Sequence, residues 1–306
     1  MLKKHLTLSA ALLPFRSEWF HTSYFETEVR FVSRLSPSPA PWRAAVLGAL
    51  ALLMTACSAD GTVERAHYPL KSDAKPHEGV RKAHSFPVHG IDVSKWQGEI
   101  DWAEVKRAGT AFAFIKATEG GDHLDERFHE NWRNAKAHGI PRAAYHFVFW
   151  CRPAHEQADW FIKNVPSDKD ALPPVLDVEW NGHSRTCPKK IDPELARQKI
   201  AVMLKAMREH TGKKPIIYTD IPFHADVLEG HYKDHDFWLR SVAAEPHERY
   251  DNRNWKFWQF TTTGRVPGIK GPVDRNVYAG PRRDWMRFLA ENGVSGRQVA
   301  SNDAEE

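Results

Sequence analysis

Four acidic residues stand where short apolar runs end. Asp92 lies in HGIDVSKWQG, Asp177 and Glu179 close PPVLDVEW, and Asp274 lies in GPVDRN. An acid within an apolar run is costly to bury unless it is partnered or protonated. The DVE pair is the most telling. Side chains two residues apart on a strand share a face, about 6.6–6.8 Å apart along it. Two carboxylates on one face raise each other's proton affinity, so one keeps its proton near neutral pH. A protonated acid beside an ionised partner is the equipment for cleaving a glycosidic bond. Val175, Leu176 and Val178 mark a buried strand, which argues against two unrelated surface acids. Aromatic residues gather at the same strand ends: Trp96, Tyr145, Trp150, Trp180, Tyr218, Trp238 and Trp258. Aromatic faces suit the apolar C–H faces of sugar rings. Tyr145, Tyr218 and Trp238 are the candidate substrate contacts because each lies at a predicted strand end. Most of the other tryptophans are expected in the core.

Short apolar strands alternating with amphipathic helices must hold these residues. Strands are predicted over 88–93, 112–117, 142–149, 174–179, 215–219, 237–241 and 256–261, and helices over 101–108, 125–138, 154–164, 192–211 and 281–291. The helix over 192–211 has an N-cap aspartate, proline at its first position and Gly212 at its end. This alternation predicts an α/β protein with a parallel sheet. No glycine-rich phosphate loop follows the first strand, so nucleotide binding has little support and a barrel gains weight. In a parallel barrel the catalytic groups lie at the C-terminal strand ends, where these acids fall. The stretch 237–261 holds two strands without a strong helix between them, so the barrel is expected to be irregular there.

The chain's 306 residues carry 43 Lys+Arg against 39 Asp+Glu, a formal charge of +4. Residues 1–56 hold six of the basic and three of the acidic residues, which leaves +1 for the rest and little support for nucleic-acid binding. The run AAVLGALALLMTA at 44–56, after Arg43, is too short to span a bilayer comfortably and fits the apolar region of a secretory signal. It ends Leu53-Met54-Thr55-Ala56-Cys57, which resembles a bacterial lipobox, with Cys57 the lipidated residue. Residues 1 to about 40 are aromatic-rich for a signal, and translation is expected to start downstream at a non-ATG codon. The expected organisation is a leader over 1–56, a flexible tether over 57–85, one barrel over 86–291 and a polar tail over 292–306.

The segments GIDVSKWQG (90–98), FAFIKATEG (112–120), AYHF (144–147), LDVE (176–179), PIIYT (215–219), FWQFT (257–261) and VPGIKGPVDRN (266–276) together resemble glycoside hydrolase family 25. These are lysozymes that hydrolyse peptidoglycan between N-acetylmuramic acid and N-acetylglucosamine. The segments occur in family order across the whole body. The resemblance implies an irregular eight-stranded β/α barrel with a long acidic groove. It makes Glu179 the general acid, with Asp177, Asp92 and Asp274 as the other active-site acids and Lys116 and Gln259 as polar partners. It also implies a retaining route in which the substrate's own N-acetyl group can serve as nucleophile, with Asp177 orienting it. The strand spacing alone lies nearer the inverting separation of about 6.5–9.5 Å than the retaining one of about 5–5.5 Å, so the route stays open. The loops WNGHSRTCPKKID and FWCRP depart from the family pattern, leaving peptidoglycan modifications open.

With Cys57 lipidated, Cys151 and Cys187 remain, each just past one of two neighbouring strands. In an oxidising compartment such a pair is a disulfide candidate. No HExxH or related pattern is present among 17 His, so neither a catalytic metal nor a cofactor is expected. The expected protein is a lipid-anchored, monomeric N-acetylmuramidase of a bacterial envelope, on the periplasmic side, acting on peptidoglycan glycan strands. The alternatives are a non-catalytic peptidoglycan-binding protein, a chitinase-like glycosidase or N-acetylglucosaminidase, or an exported antibacterial effector with the same chemistry.

Overall fold

The computed structural model describes residues 73–294. The leader, the lipidation candidate Cys57, residues 57–72 of the expected tether and residues 295–306 of the tail lie outside the described residues. Nine strands run through the body: β1 (His89–Val93), β2 (Phe112–Glu119), β3 (His123–Leu124), β4 (Arg142–Phe147), β5 (Val175–Val178), β6 (Ile216–Thr219), β7 (Phe237–Arg240), β8 (Phe257–Gly264) and β9 (Val273–Tyr278). From β1 through β2, β4, β5, β6, β7 and β8 all pairings are parallel. β9 closes the ring antiparallel to both β8 and β1, giving an eight-stranded barrel. β3 adds a two-residue ladder to the end of β2.

Side chains alternate between inside and outside along each strand. Phe112, Phe114, Ala143, Val175, Ile216, Trp238, Phe257 and Tyr278 form one apolar cluster inside the barrel. Helix α6 (Arg282–Glu291) adds Trp285, Phe288 and Leu289 to that cluster. Trp285 lies 5.4 Å from Phe112 and 5.2 Å from Tyr278 between ring centroids, so α6 closes the end of the barrel where the parallel strands begin. The opposite end is left for polar residues.

A second cluster fills the space between the strands and α1 (Trp102–Arg107), α2 (Phe128–Ala137), α3 (Ala154–Asn164) and α4 (Pro193–Thr211). α4 shows why these segments are helical. The Asp192 carboxylate accepts from the Glu194 and Leu195 amides, Pro193 occupies the first turn, and Gly212 takes a left-handed φ of 70° at the end. Ala196, Ile200, Met203, Leu204 and Met207 then form one buried stripe. Between β7 and β8 there is only a 3-10 turn, Pro246–Glu248, in keeping with an irregular second half. A single-turn helix, α5 (Ile221–Phe223), follows β6.

Of the tether expected over 57–85, residues 73–85 are described, and they do not stand off but pack on the barrel. Asp73 bridges to Gly264, and its carboxylate accepts from Lys75 N at 2.9 Å and from the Thr263 hydroxyl. A 3-10 helix, Glu78–Ser85, buries Val80 and Ala83 against Trp258, Phe260 and Val277 on the outside of β8 and β9. Two small apolar residues three apart are too weak a periodic signal to separate from a linker.

Candidate active site

The acids converge at the C-terminal ends of the parallel strands. Asp92 (β1), Asp177 (β5), and Glu179 just beyond β5 come from that end directly. Asp274 begins β9. Because β9 runs against its neighbours, its first residues reach the same end, and Asp274 pairs in register with Asp92. Asp177 stands beside Tyr218, Lys116 beside Tyr145, and Arg240 beside Gln259.

A hydrogen-bonded net ties one side together. Gln259 Nε2 donates to Asp92 Oδ2 at 2.9 Å and to Asp274 Oδ2 at 3.1 Å, while its Oε1 accepts from Tyr218 OH at 2.9 Å. Asn276 Nδ2 donates to Asp92 Oδ2 at 2.8 Å, and Asn276 Oδ1 accepts from Trp238 Nε1 at 2.7 Å. Asp177 is treated differently. It is 6 % exposed, and its Oδ1 makes no hydrogen bond. Lys116 is bonded to Glu119.

Burial raises the proton affinity of every acid here, because a charged carboxylate loses solvation inside the barrel. Asp92 is pushed up to about 6, against the two amide hydrogen bonds that favour its ionised form. Glu179 is pushed up to about 7 by burial and then by Asp220, and Asp274 to about 8 by burial and then by Asp92. Asp177 is raised well above the usual carboxylate range, by burial first and by Glu179 second. Burial and the surrounding acids also hold Tyr145 and Tyr218 in the neutral form.

The backbone around Glu179 is clamped. Trp150 Nε1 donates to the Glu179 carbonyl at 2.6 Å, and Trp150 N donates to Asn181 Oδ1 at 2.9 Å. Asn181 Nδ2 returns to the Val148 carbonyl at 2.9 Å. Cys151 and Cys187 form a disulfide with Cα atoms 5.5 Å apart, joining the loop after β4 to the loop after β5. Trp150 stacks on Phe223 at 4.9 Å, and Trp180 packs on the same ring at 4.7 Å.

All nine residues expected in the groove therefore lie at one end of the barrel, but in different environments. Tyr145 and Lys116 are half-buried, whereas Tyr218, Trp238 and Gln259 are buried. Trp238 belongs to the apolar floor, with Tyr218 at 4.3 Å and Tyr145 at 6.3 Å between centroids. A strand-end position does not distinguish an aromatic on the rim from one a layer below. Asp220, Asn276 and Arg240 join the site without having been among the residues expected there. Each stands two residues from a residue already in the site (Tyr218, Asp274 and Trp238), so the period of two was the available signal. Among the described residues, no group of three or more His, Cys, Asp or Glu is placed to hold a metal ion.

The family profile described as "Glycosyl hydrolases family 25" matches residues 91–269. YegX of Escherichia coli strain K12 is 37% identical over 228 residues, spanning 72% of this chain and 78% of that protein. Lysozyme M1 of Streptomyces globisporus is 38% identical over 213 residues, 66% of this chain and 71% of the lysozyme. The structure of a family 25 glycosyl hydrolase from Bacillus anthracis is similar with a TM-score of 0.62 at 36% identity, covering 66% of this chain and 94% of that one.

Proposed function

The chain belongs to glycosyl hydrolase family 25, and from that premise we propose that it is a lysozyme. It hydrolyses the β-1,4 bond between N-acetylmuramic acid and N-acetylglucosamine in peptidoglycan. The observation that carries this reading is the pairing of Glu179, which holds a proton up to about pH 7, with Asp177, whose buried Oδ1 is unpartnered on the same strand end.

Glu179 gives its proton to the glycosidic oxygen as the bond to the anomeric carbon breaks. The carbonyl oxygen of the substrate's acetamide attacks that carbon in the same step, while the acetamide N–H donates to Asp177 Oδ1. An orphaned buried acceptor is costly, and a substrate N–H would satisfy it. Glu179, now ionised, removes a proton from the water that opens the cyclic intermediate, which restores both the acetamide and the acid. Asp92 and Asp274, bridged by Gln259, form the opposite wall of the groove. Lys116 and Tyr145 face the sugar, and Tyr218 and Trp238 support it from below.

Digesting purified peptidoglycan with wild type and Glu179→Gln tests this reading. Wild type should release fragments with reducing muramic acid ends, and the variant should be slower by about 10²–10⁴-fold. Reducing glucosamine ends would indicate a glucosaminidase, and equal inactivity of both proteins would indicate a binding module. The four acids meet within one barrel, so the proposed chemistry needs no second subunit, and we propose that the protein acts as a monomer. The signature ending at Cys57 supports export and lipid anchoring, so Cys57→Ser should move the protein from the membrane to the soluble fraction.

A further inference from the structure

Arg240 ends β7 on the same face as Trp238, half-buried at the rim of the acidic site. It is in register with Gln259 on one side. On the other, the Thr219–Leu239 pair places Asp220 next to it. Its charge reaches Asp92, Glu179, Asp220 and Asp274. Even so, its guanidinium forms no ion pair and no hydrogen bond among the described residues; Tyr250 OH donates to its backbone carbonyl. Lys116 and Lys190, the other cations whose charge reaches these acids, are already bonded to Glu119 and to Asp226. Arg240 therefore presents a planar fork of N–H donors to the groove.

That fork matches a carboxylate, which it can bind through two parallel hydrogen bonds. An otherwise acidic groove would repel a carboxylate, so a single uncommitted cation decides whether an anionic substrate is accepted. Muramyl residues carry a lactyl ether ending in a carboxyl group. It is free when the stem peptide is absent and amide-linked when it is present, and stems bear carboxylates of their own. We propose that Arg240 is a specificity residue that binds a carboxylate on the muramyl substituent of the glycan. This rests on the reading of the chain as a lysozyme.

The test measures kcat and KM for wild type, Arg240→Gln and Arg240→Lys on three soluble glycans: stem-free chains with free lactyl carboxylates, the same chains with those carboxylates converted to methylamides, and stem-bearing chains. Arg240→Gln should raise KM about tenfold or more on carboxylate-bearing chains, with little change on the methylamide. Arg240→Lys should recover part of the loss. A KM increase on the stem-free acid identifies the lactyl carboxylate, and one confined to stem-bearing chains identifies the stem; both support the proposal. Equal losses on acid and methylamide, or a change in the pH profile of kcat with KM unaltered, would overturn it while leaving the lysozyme reading intact. Wild type that cleaves none of the three would overturn both.

Discussion

Asp92 and Asp274 face each other across the antiparallel pairing of β1 and β9, and one amide nitrogen of Gln259 bonds both carboxylates. Two acids this close are tolerated because burial and mutual repulsion keep Asp274 protonated up to about 8, while the Gln259 and Asn276 amides favour the ionised form of Asp92. The pair thus divides into one carboxylate and one carboxylic acid near neutral pH.

Replacing Gln259 by leucine removes the shared donor and leaves Tyr218 OH without its acceptor. Asp92 loses a bond that lowers its proton affinity, so its pKa should rise above about 6. Unpaired buried polar groups cost about 1–3 kcal/mol each. Urea denaturation should show a loss of that order. An unchanged denaturation midpoint together with an unchanged pH profile would exclude the bridging role.

Asp220 is the largest charged contributor to the raised proton affinity of Glu179. Asparagine there removes the charge but keeps an oxygen able to cap α5 through Phe223 N, bonded at 2.9 Å. Glu179 should then lose its proton at lower pH. The alkaline limb of the kcat profile, set by loss of the acid's proton near pH 7, should move toward acid. A limb that stays in place would mean that Asp220 does not tune the general acid.

Most of the barrel was legible because its strands are apolar runs bounded by turns, and α4 carries its own start and stop signals. β9 was not, and the reason is physical. Two of its three inward residues, Asp274 and Asn276, are polar, and only Tyr278 is apolar, while Val273 and Val277 point outward to the packed shell, so the pattern of an ordinary strand is largely inverted. Its direction is set by pairing with β1, some 180 residues away in the chain. Asp220 and Arg240 each end an apolar strand, where one charged residue looks like a terminator. The acids themselves were legible because an acid in a buried run has few other uses.

The Cys151–Cys187 bridge closes a loop with a sequence separation of 36, which contributes about 4 kcal/mol in the chain-entropy account. It also pins the two loops whose residues Trp150 and Asn181 hold the Glu179 backbone. Cys151→Ser/Cys187→Ser should lower the melting temperature by several degrees or more, and kcat should fall further than KM changes. Loss of stability with kcat intact would confine the bridge to a purely structural part.

The site should also make stability depend on pH in a defined direction. At about pH 6.5 the unfolded chain has already released its carboxyl protons. The folded chain still holds protons on Glu179, with a pKa near 7, on Asp274, near 8, and on Asp177, raised well above its usual value. The folded state therefore binds more protons, and stability falls as pH rises through this window. Two buried histidines oppose the trend below it. His146 and His224 are held down to about 4 by burial, so between about 4 and 6.5 the unfolded chain binds protons there that the folded chain does not; this offsets part of the fall set by the retained carboxyl protons without reversing it. That opposition fades as the unfolded histidines lose their protons around pH 6.5, and the melting temperature should decline from about pH 6.5 to 8.5. Asp274→Asn and Glu179→Gln each delete one of the protons responsible, so each should flatten the decline. A melting temperature that rises over this interval, or a slope untouched by either substitution, would show that these acids are already ionised in the folded protein.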